Sequence, residues 1–165
     1  MAIDCFLQLS NNIKGECQDA SHKEWIDILS WNWGMTQSGT THMGAGGGGG
    51  KVNVQDITIT KYVDLATNEL IKRCCSGEHI TKGQLVVRKS GGAAPVDYLK
   101  IDFEDIMITS YLTGGMKDGL DRVQETLNLN FRRFQVTYTM QEQSGAAGPE
   151  TMAGWEIAEN KTWSA

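Results

Sequence analysis

No stretch of the 165 residues approaches the roughly 20 consecutive apolar positions a helix needs to cross a bilayer, so no membrane insertion is expected. The N-terminus, MAIDCFLQLSNN, has neither a basic leading segment nor a continuous apolar core. A Sec-type signal peptide is therefore not expected, and the chain should be made, and first fold, in the cytoplasm. Positive charge is scarce: 15 Lys and Arg stand against 20 Asp and Glu, a formal net charge of -5. Nucleic acid or an anionic membrane surface would call for a basic patch instead. Cys-x-x-Cys and paired-histidine spacings are missing, which removes a zinc centre. The four cysteines, Cys5, Cys17, Cys74 and Cys75, read as small buried hydrophobes and not as a disulfide framework, because two are adjacent on a helix and one alternates inward on a strand.

What is present is strand, with one helix. DLATNELIKRCCSG (64–77) is the one segment with helical period: Leu70, Ile71, Cys74 and Cys75 share a packing face. Thr67 or Asp64 can cap its start, and Gly77 can close its end in the left-handed conformation. So short a helix must lie on other structure to persist. Around it run alternating segments. Ile3, Cys5, Leu7 and Leu9 share a face; Leu29, Trp31 and Trp33 share another, opposite Ser30, Asn32 and Gly34. Val52 and Val54 fall out of phase with Ile57 and Ile59, which predicts a bulge or a sheet-to-sheet crossing near Gln55–Asp56. LVVRK reads as a short strand, YLKIDF follows it, and DIMITSYL turns Ile106, Ile108 and Leu112 to one side. A long hairpin is expected around Arg132: Leu127, Leu129 and Phe131 alternate before it, and Phe134, Val136, Tyr138 and Met140 after it. A closing strand surrounds Trp155 and Ile157. Roughly nine strands at this spacing predict a β-barrel or closed sandwich in a single domain, residues 1–165. The glycine-rich stretch 37–50 is a loop inserted between strands.

Chemistry-bearing motifs are few. GAGGGGGK fails the phosphate-loop pattern twice, since Ala45 replaces the first glycine and Val52 the final hydroxyl residue, and a strand follows in place of a helix. Asp102, Glu104 and Asp105 could hold a hard cation or form a solvated face. His22, His42 and His79 each stand alone, and Ser76 reads as a helix cap. No nucleophile–base pair is evident, so neither an enzyme nor a cofactor is predicted. More informative is the expected solvent face of the C-terminal strands: Thr126, Asn128, Asn130, Gln135, Thr137, Thr139 and Gln141, almost without charge. An ordinary exposed sheet scatters Lys and Glu there. A neutral hydrogen-bonding face suits close approach to another chain, or a wall that does not grip what passes.

MAIDCFLQL, IKGE, WIDILSWNWGMTQSG, HMG with its glycines, KVNVQDITITKYVD, CCSGEHI, VRKSGG, YLKIDFEDI and GWEI together resemble the haemolysin-coregulated protein (Hcp) family of type VI secretion, in the family's order along nearly the whole chain. The resemblance implies a mainly β fold, a closed pseudo-barrel of two antiparallel sheets with one flanking α-helix. It implies hexameric rings stacked into an expelled tube with effector proteins in the lumen, and contact with spike, sheath and baseplate components. It implies no catalysis, and release through the apparatus without a signal peptide. Within that reading, Asn32 and Met116 are lumen and cargo candidates. The loop residues Gln37, Ser38, Gly39, Thr40, Thr41, His42, Met43, Gly44, Gly46 and Gly50 are ring-stacking candidates. The competing reading is a monomeric β-sandwich ligand-binding module, which predicts exposed aromatic residues in a groove.

Overall fold

The computed structural model describes residues 3–39, 42, 49–89, 95–119 and 122–165. Eleven strands and one helix occur among them. β1 (Ile3–Leu9) pairs antiparallel with β7 (Ile80–Lys89), and β7 with β8 (Val96–Gly114). β8 pairs with β9 (Gln124–Gln141) along almost the full length of both strands. The other edge of β9 is divided. Its first part, Gln124–Leu129, pairs with β6 (Ile57–Tyr62), and from Arg133 onward it pairs with β10 (Ala147–Glu156). β2 (Ile26–Ile28) lies on β1, and β3 (Ser30–Asn32) lies on β6. β11 (Lys161–Thr162) covers the end of β10. A separate ribbon of β4 (Met35–Thr36) and β5 (Asn53–Val54) carries the glycine-rich loop.

Two of these strands differ from the pattern read from sequence. The segment around Arg132 is not a hairpin: β9 runs through it without turning back. The backbone slips phase there, so Phe131 and Phe134 both enter the core. In β8, YLKIDF and DIMITSYL form one strand that bulges at Thr109, where Ile108 faces Leu129 but Ser110 faces Asn128. An extra residue in one strand reverses the sides of everything after it. Ile106 and Ile108 are buried as expected, whereas Leu112 is 67% exposed and Tyr111 takes the inward position. The Thr109 hydroxyl holds the bulge by donating to Asp56 Oδ2 (2.6 Å) and to the Asn128 carbonyl (3.2 Å). At Gln55–Asp56 the expected crossing is present: β5 belongs to the ribbon and β6 to the large sheet.

The core is built from Leu7, Ile26, Ile57, Ile59, Leu85, Phe103, Leu127 and Phe134 with their neighbours, and Trp31 and Trp33 pack against it. Trp33 meets Phe134 edge-on at 4.8 Å and donates its indole N–H to the Gln55 carbonyl at 3.0 Å. Leu29 is exposed, because it sits at the step from β2 to β3, where its N–H bonds to the Thr60 carbonyl.

α1 spans Thr67–Ser76 and is closed by Gly77 at φ 69. Asp64 does not cap the first turn itself but accepts the N–H of Ala66 just before it (2.9 Å). The face turned to the sheet is Thr67, Leu70, Arg73 and Cys74, with Ile71 half-buried and Cys75 exposed. The expected place of Cys75 is thus corrected. One residue past Cys74 is 100° further round the helix. Arg73 goes inward instead, because its guanidinium donates to the His79 carbonyl (3.0 Å) and to Glu69 (3.1 Å).

Beneath the start of α1 lies an ion cluster with no counterpart in the sequence reading. The fully buried Lys61 ammonium bonds Glu125 Oε1, Asp64 Oδ1 (2.8 Å) and the Tyr62 carbonyl (2.9 Å). Thr67 donates to Glu125 Oε1 (2.7 Å) and Tyr111 to Glu125 Oε2 (2.7 Å). Burial, and then the Glu125 carboxylate, push the Tyr111 phenol above its ordinary pKa, which keeps its hydroxyl a donor.

Candidate functional site

Register across β3, β6, β9 and β8 aligns the uncharged residues into rows. Asn32 faces Thr58, Thr58 faces Asn128, and Asn128 faces Ser110; beside them run Ser30, Thr60, Thr126 and Leu112. No residue of either row is charged. Thr58 donates to Asn128 Oδ1 at 3.0 Å, and the Thr60 and Thr126 hydroxyls lie 3.4 Å apart. At the end of the rows both oxygens of Asp56 are engaged, one by Asn130 Nδ2 (2.8 Å) and the other by Thr109. The result is a sheet face that hydrogen-bonds within itself and presents neutral side chains outward. Such a face neither repels nor holds a charged surface moving past it.

The structure places the sequence candidates as follows. Asn32 is exposed at the head of one row. Met116 is 83% exposed in the turn after β8, beside a hollow lined by Gly114, Gly115, Gly119, Arg122 and Val123. Asn32 aligns with Ser110, whereas Met116 lies beyond the end of β8, so the two occupy separate positions. Of the loop candidates, Gln37, Ser38, Gly39, His42 and Gly50 are exposed, and Thr40, Thr41, Met43, Gly44 and Gly46 lie outside the described residues. Thr126 and Asn128 are half-buried and Asn130 is exposed. Gln135, Thr137 and Thr139 are buried, not solvent-facing, because β10 and the C-terminal residues roof them. Gln135 Oε1 accepts the N–H of Ala165 (2.7 Å), and Thr139 donates to Glu150 (2.9 Å). Tyr138 and Met140, expected inside, are 46% and 43% exposed where β9 outruns the elements that cover its core side.

The acidic trio does not converge on a cation. Asp102 accepts from Gln84 (2.7 Å), Glu104 pairs with Arg133 and Lys82, and Asp105, in the left-handed region at φ 56, lies 2.5 Å from His79 Nδ1. His22, which looked isolated in sequence, is buried. It stacks on Phe6 at 4.2 Å, with Nδ1 2.9 Å from Asp19 and Nε2 3.6 Å from Asp97. Arg88 joins the same two carboxylates. Burial opposes its charge, but Asp97 and Asp19 outweigh it and raise its pKa. The hydrogen bond from His22 in turn holds the Asp19 carboxyl below its usual range. These contacts fasten the segment between β1 and β2 to the outer side of β1 and β7.

All four thiols are free. Burial, with Asp27 adding to it, pushes Cys17 up to about 11 from an ordinary 9.0. A thiol reagent at pH 8 is expected to modify Cys75 quickly and Cys17 only on unfolding, as counted by labelled-mass analysis. The unfolded chain releases the Cys17 proton near 9 and the folded protein near 11. Its contribution to stability is therefore complete below about 9 and is lost as pH rises from there to about 11. Replacing Cys17 with Ala should flatten that part of a pH–stability curve.

The chain is thus of a mainly antiparallel β class with one packed helix and a neutral sheet face, and no grouping of His, Cys, Asp and Glu able to hold a metal occurs among the described residues. The family described as "Type VI secretion system effector, Hcp" matches residues 6–138, and the chain belongs to this Hcp family. It is 46% identical over 161 residues to protein Hcp1 of Pseudomonas aeruginosa strain PAO1, covering 97% of this chain and 98% of the relative. The crystal structure of Hcp1 from Salmonella typhimurium superposes with a TM-score of 0.81 at 36% identity, over 99% of this chain and 100% of that one. A structure titled as a type six secretion system protein reaches 0.91 at 28% identity, over 98% and 100%. The protein is thus a type VI secretion protein of an Hcp-like, β-rich fold. No helix among the described residues is long and apolar enough to cross a membrane.

Proposed function

We propose that this chain is a tube subunit of the type VI apparatus, an Hcp-like domain that closes into hexameric rings. The rings stack into an expelled tube and carry effector proteins in the lumen. The observation that carries this reading is the pair of uncharged rows across β3, β6, β9 and β8, which suits the wall of a bore through which folded proteins pass. In this reading residues 26–32, which leave β1 after Ile28 and join β6 from Ser30, close two sheets into a pseudo-barrel. The spike, sheath and baseplate are its other partners, and it does no catalysis. It assembles in the cytoplasm and is secreted with the tube.

Sedimentation and negative-stain imaging test the ring. Closed six-fold particles are expected, and a protein that stays single at high micromolar concentration would refute the reading. For the lumen, Asn32→Arg and Met116→Arg each place a charge at an exposed position. Rings should persist while effector co-purification drops several-fold. Undiminished co-purification by both variants would remove these residues from the lumen.

A further inference from the structure

We infer that Leu112 is the specificity-determining residue of the bore, and that it grips effector proteins by apolar side chains exposed on their surface. This rests on the tube reading and adds to it the feature of the cargo that the wall selects.

The two rows across β3, β6, β9 and β8 end at Ser110 and Leu112, and Leu112 is the one member of either row whose side chain cannot hydrogen-bond. It also stands clear of its neighbours. Thr60 and Thr126 beside it are half-buried, whereas Leu112 is 67% exposed. Along β8 the residues on its own side are Ser110 and Gly114, too small to flank it. The fold fixes this outward position at two points. Tyr111 turns inward and donates to Glu125 Oε2 (2.7 Å), and the bulge ahead of it is held by Thr109 on Asp56 Oδ2 (2.6 Å). A slip that buried Leu112 would break both bonds.

What such a wall can hold follows from the chemistry of the rows. A polar group of a passing protein exchanges its bonds to water for bonds to Thr or Asn, with little net gain. A charged group finds no counter-charge in either row and loses hydration against a leucine. An apolar side chain laid on Leu112 removes area from water on both partners, and this is the contact with a net gain. A lone exposed leucine is ordinary on a protein surface and holds little. In a closed ring, rotational symmetry repeats it in every subunit at one level of the bore. Several weak contacts to one body then reinforce one another. The cargo selected is a folded protein with apolar side chains on its surface, and the neutral rows leave the rest of that surface unheld.

The test uses rings of the full chain, wild type and with Leu112→Ser or Leu112→Met. The probe is a small monomeric folded domain carrying a fluorophore, made in two forms, one with a pair of surface leucines and one with serines in their place. Fluorescence anisotropy should show the leucine form binding wild-type and Leu112→Met rings alike, and Leu112→Ser rings on the order of tenfold more weakly. It should saturate at one probe per ring, since a bore holds one body at a given level. The serine form should bind all three rings equally weakly. Equal affinity of the leucine form for wild-type and Leu112→Ser rings would overturn the inference, as would saturation at one probe per subunit, which places the contact outside the bore. Light scattering and melting temperature should be unchanged by Leu112→Ser. Loss of rings on that substitution would place Leu112 between subunits and overturn the inference too. Wild-type protein that never closes into rings would instead overturn the tube reading.

Discussion

Replacing Lys61 with Met is expected to destabilise the folded protein by about 3–5 kcal/mol, because it strands the Glu125 carboxylate in a site closed to water. For a domain of this size that is on the order of 10 °C in melting temperature, read at fixed protein concentration because assembly adds its own stabilisation. The loss arises from the unpaired carboxylate and not from the ammonium as such. Lys61→Met combined with Glu125→Leu should therefore recover most of it, although Thr67 and Tyr111 lose their acceptor and some cost remains. Equal instability of the single and double variants would mean that the cluster matters only for the shape it fills. Hydrogen exchange should show the damage first in α1, whose opening turn is tied to β6 and β9 through this cluster.

Shortening the glycine-rich loop is expected to separate two levels of assembly. β4 and β5 are in register at Thr36 and Asn53, a pair that a turn of two to five residues would join. The chain instead spends residues 37–52 there, many of them glycine, each costing roughly 1–2 kcal/mol of backbone freedom to order. At about 3.3 Å per residue when extended, a loop of this length is long enough to leave its own ring in the assembly proposed above. We expect it to order against the next ring, so that stacking stays weak enough for tubes to disperse after firing. With Gly44–Gly50 replaced by a two-residue link, rings should elute unchanged from a sizing column while tube growth and secretion are abolished. Normal stacking and secretion by that variant would make the loop a connector only.

Features set by near neighbours in the chain were legible from sequence. Gly77 ends α1 as a left-handed glycine does, and the odd–even slip at Gln55–Asp56 marks the passage from ribbon to sheet. Alternation in Leu127–Phe131 reports one buried side of a strand. What could not be read depends on groups far away in sequence. The exchange of Tyr111 and Leu112 follows from a bulge held by Asp56, more than fifty residues earlier. Lys61 and Glu125 look like surface residues until their strands pair and bring them together. Gln135 and Thr139 alternate as solvent-facing residues do, yet both are buried, Gln135 bonded to the C-terminal Ala165 and Thr139 to Glu150 of β10. The neutral face was visible as composition, but its rows needed the register of four strands.

β9 holds β6 on the first part of one edge and β10 on the second, while β8 runs along the other edge throughout. In mechanical terms it is a keel. A push delivered along the strand direction is carried by many hydrogen bonds in parallel shear, on both edges at once, and no single pair can open ahead of the rest. The divided edge also removes the hinge that two separate sheets would have between them. In the tube proposed above, a subunit built on such a keel carries an axial push from one end to the other without bending.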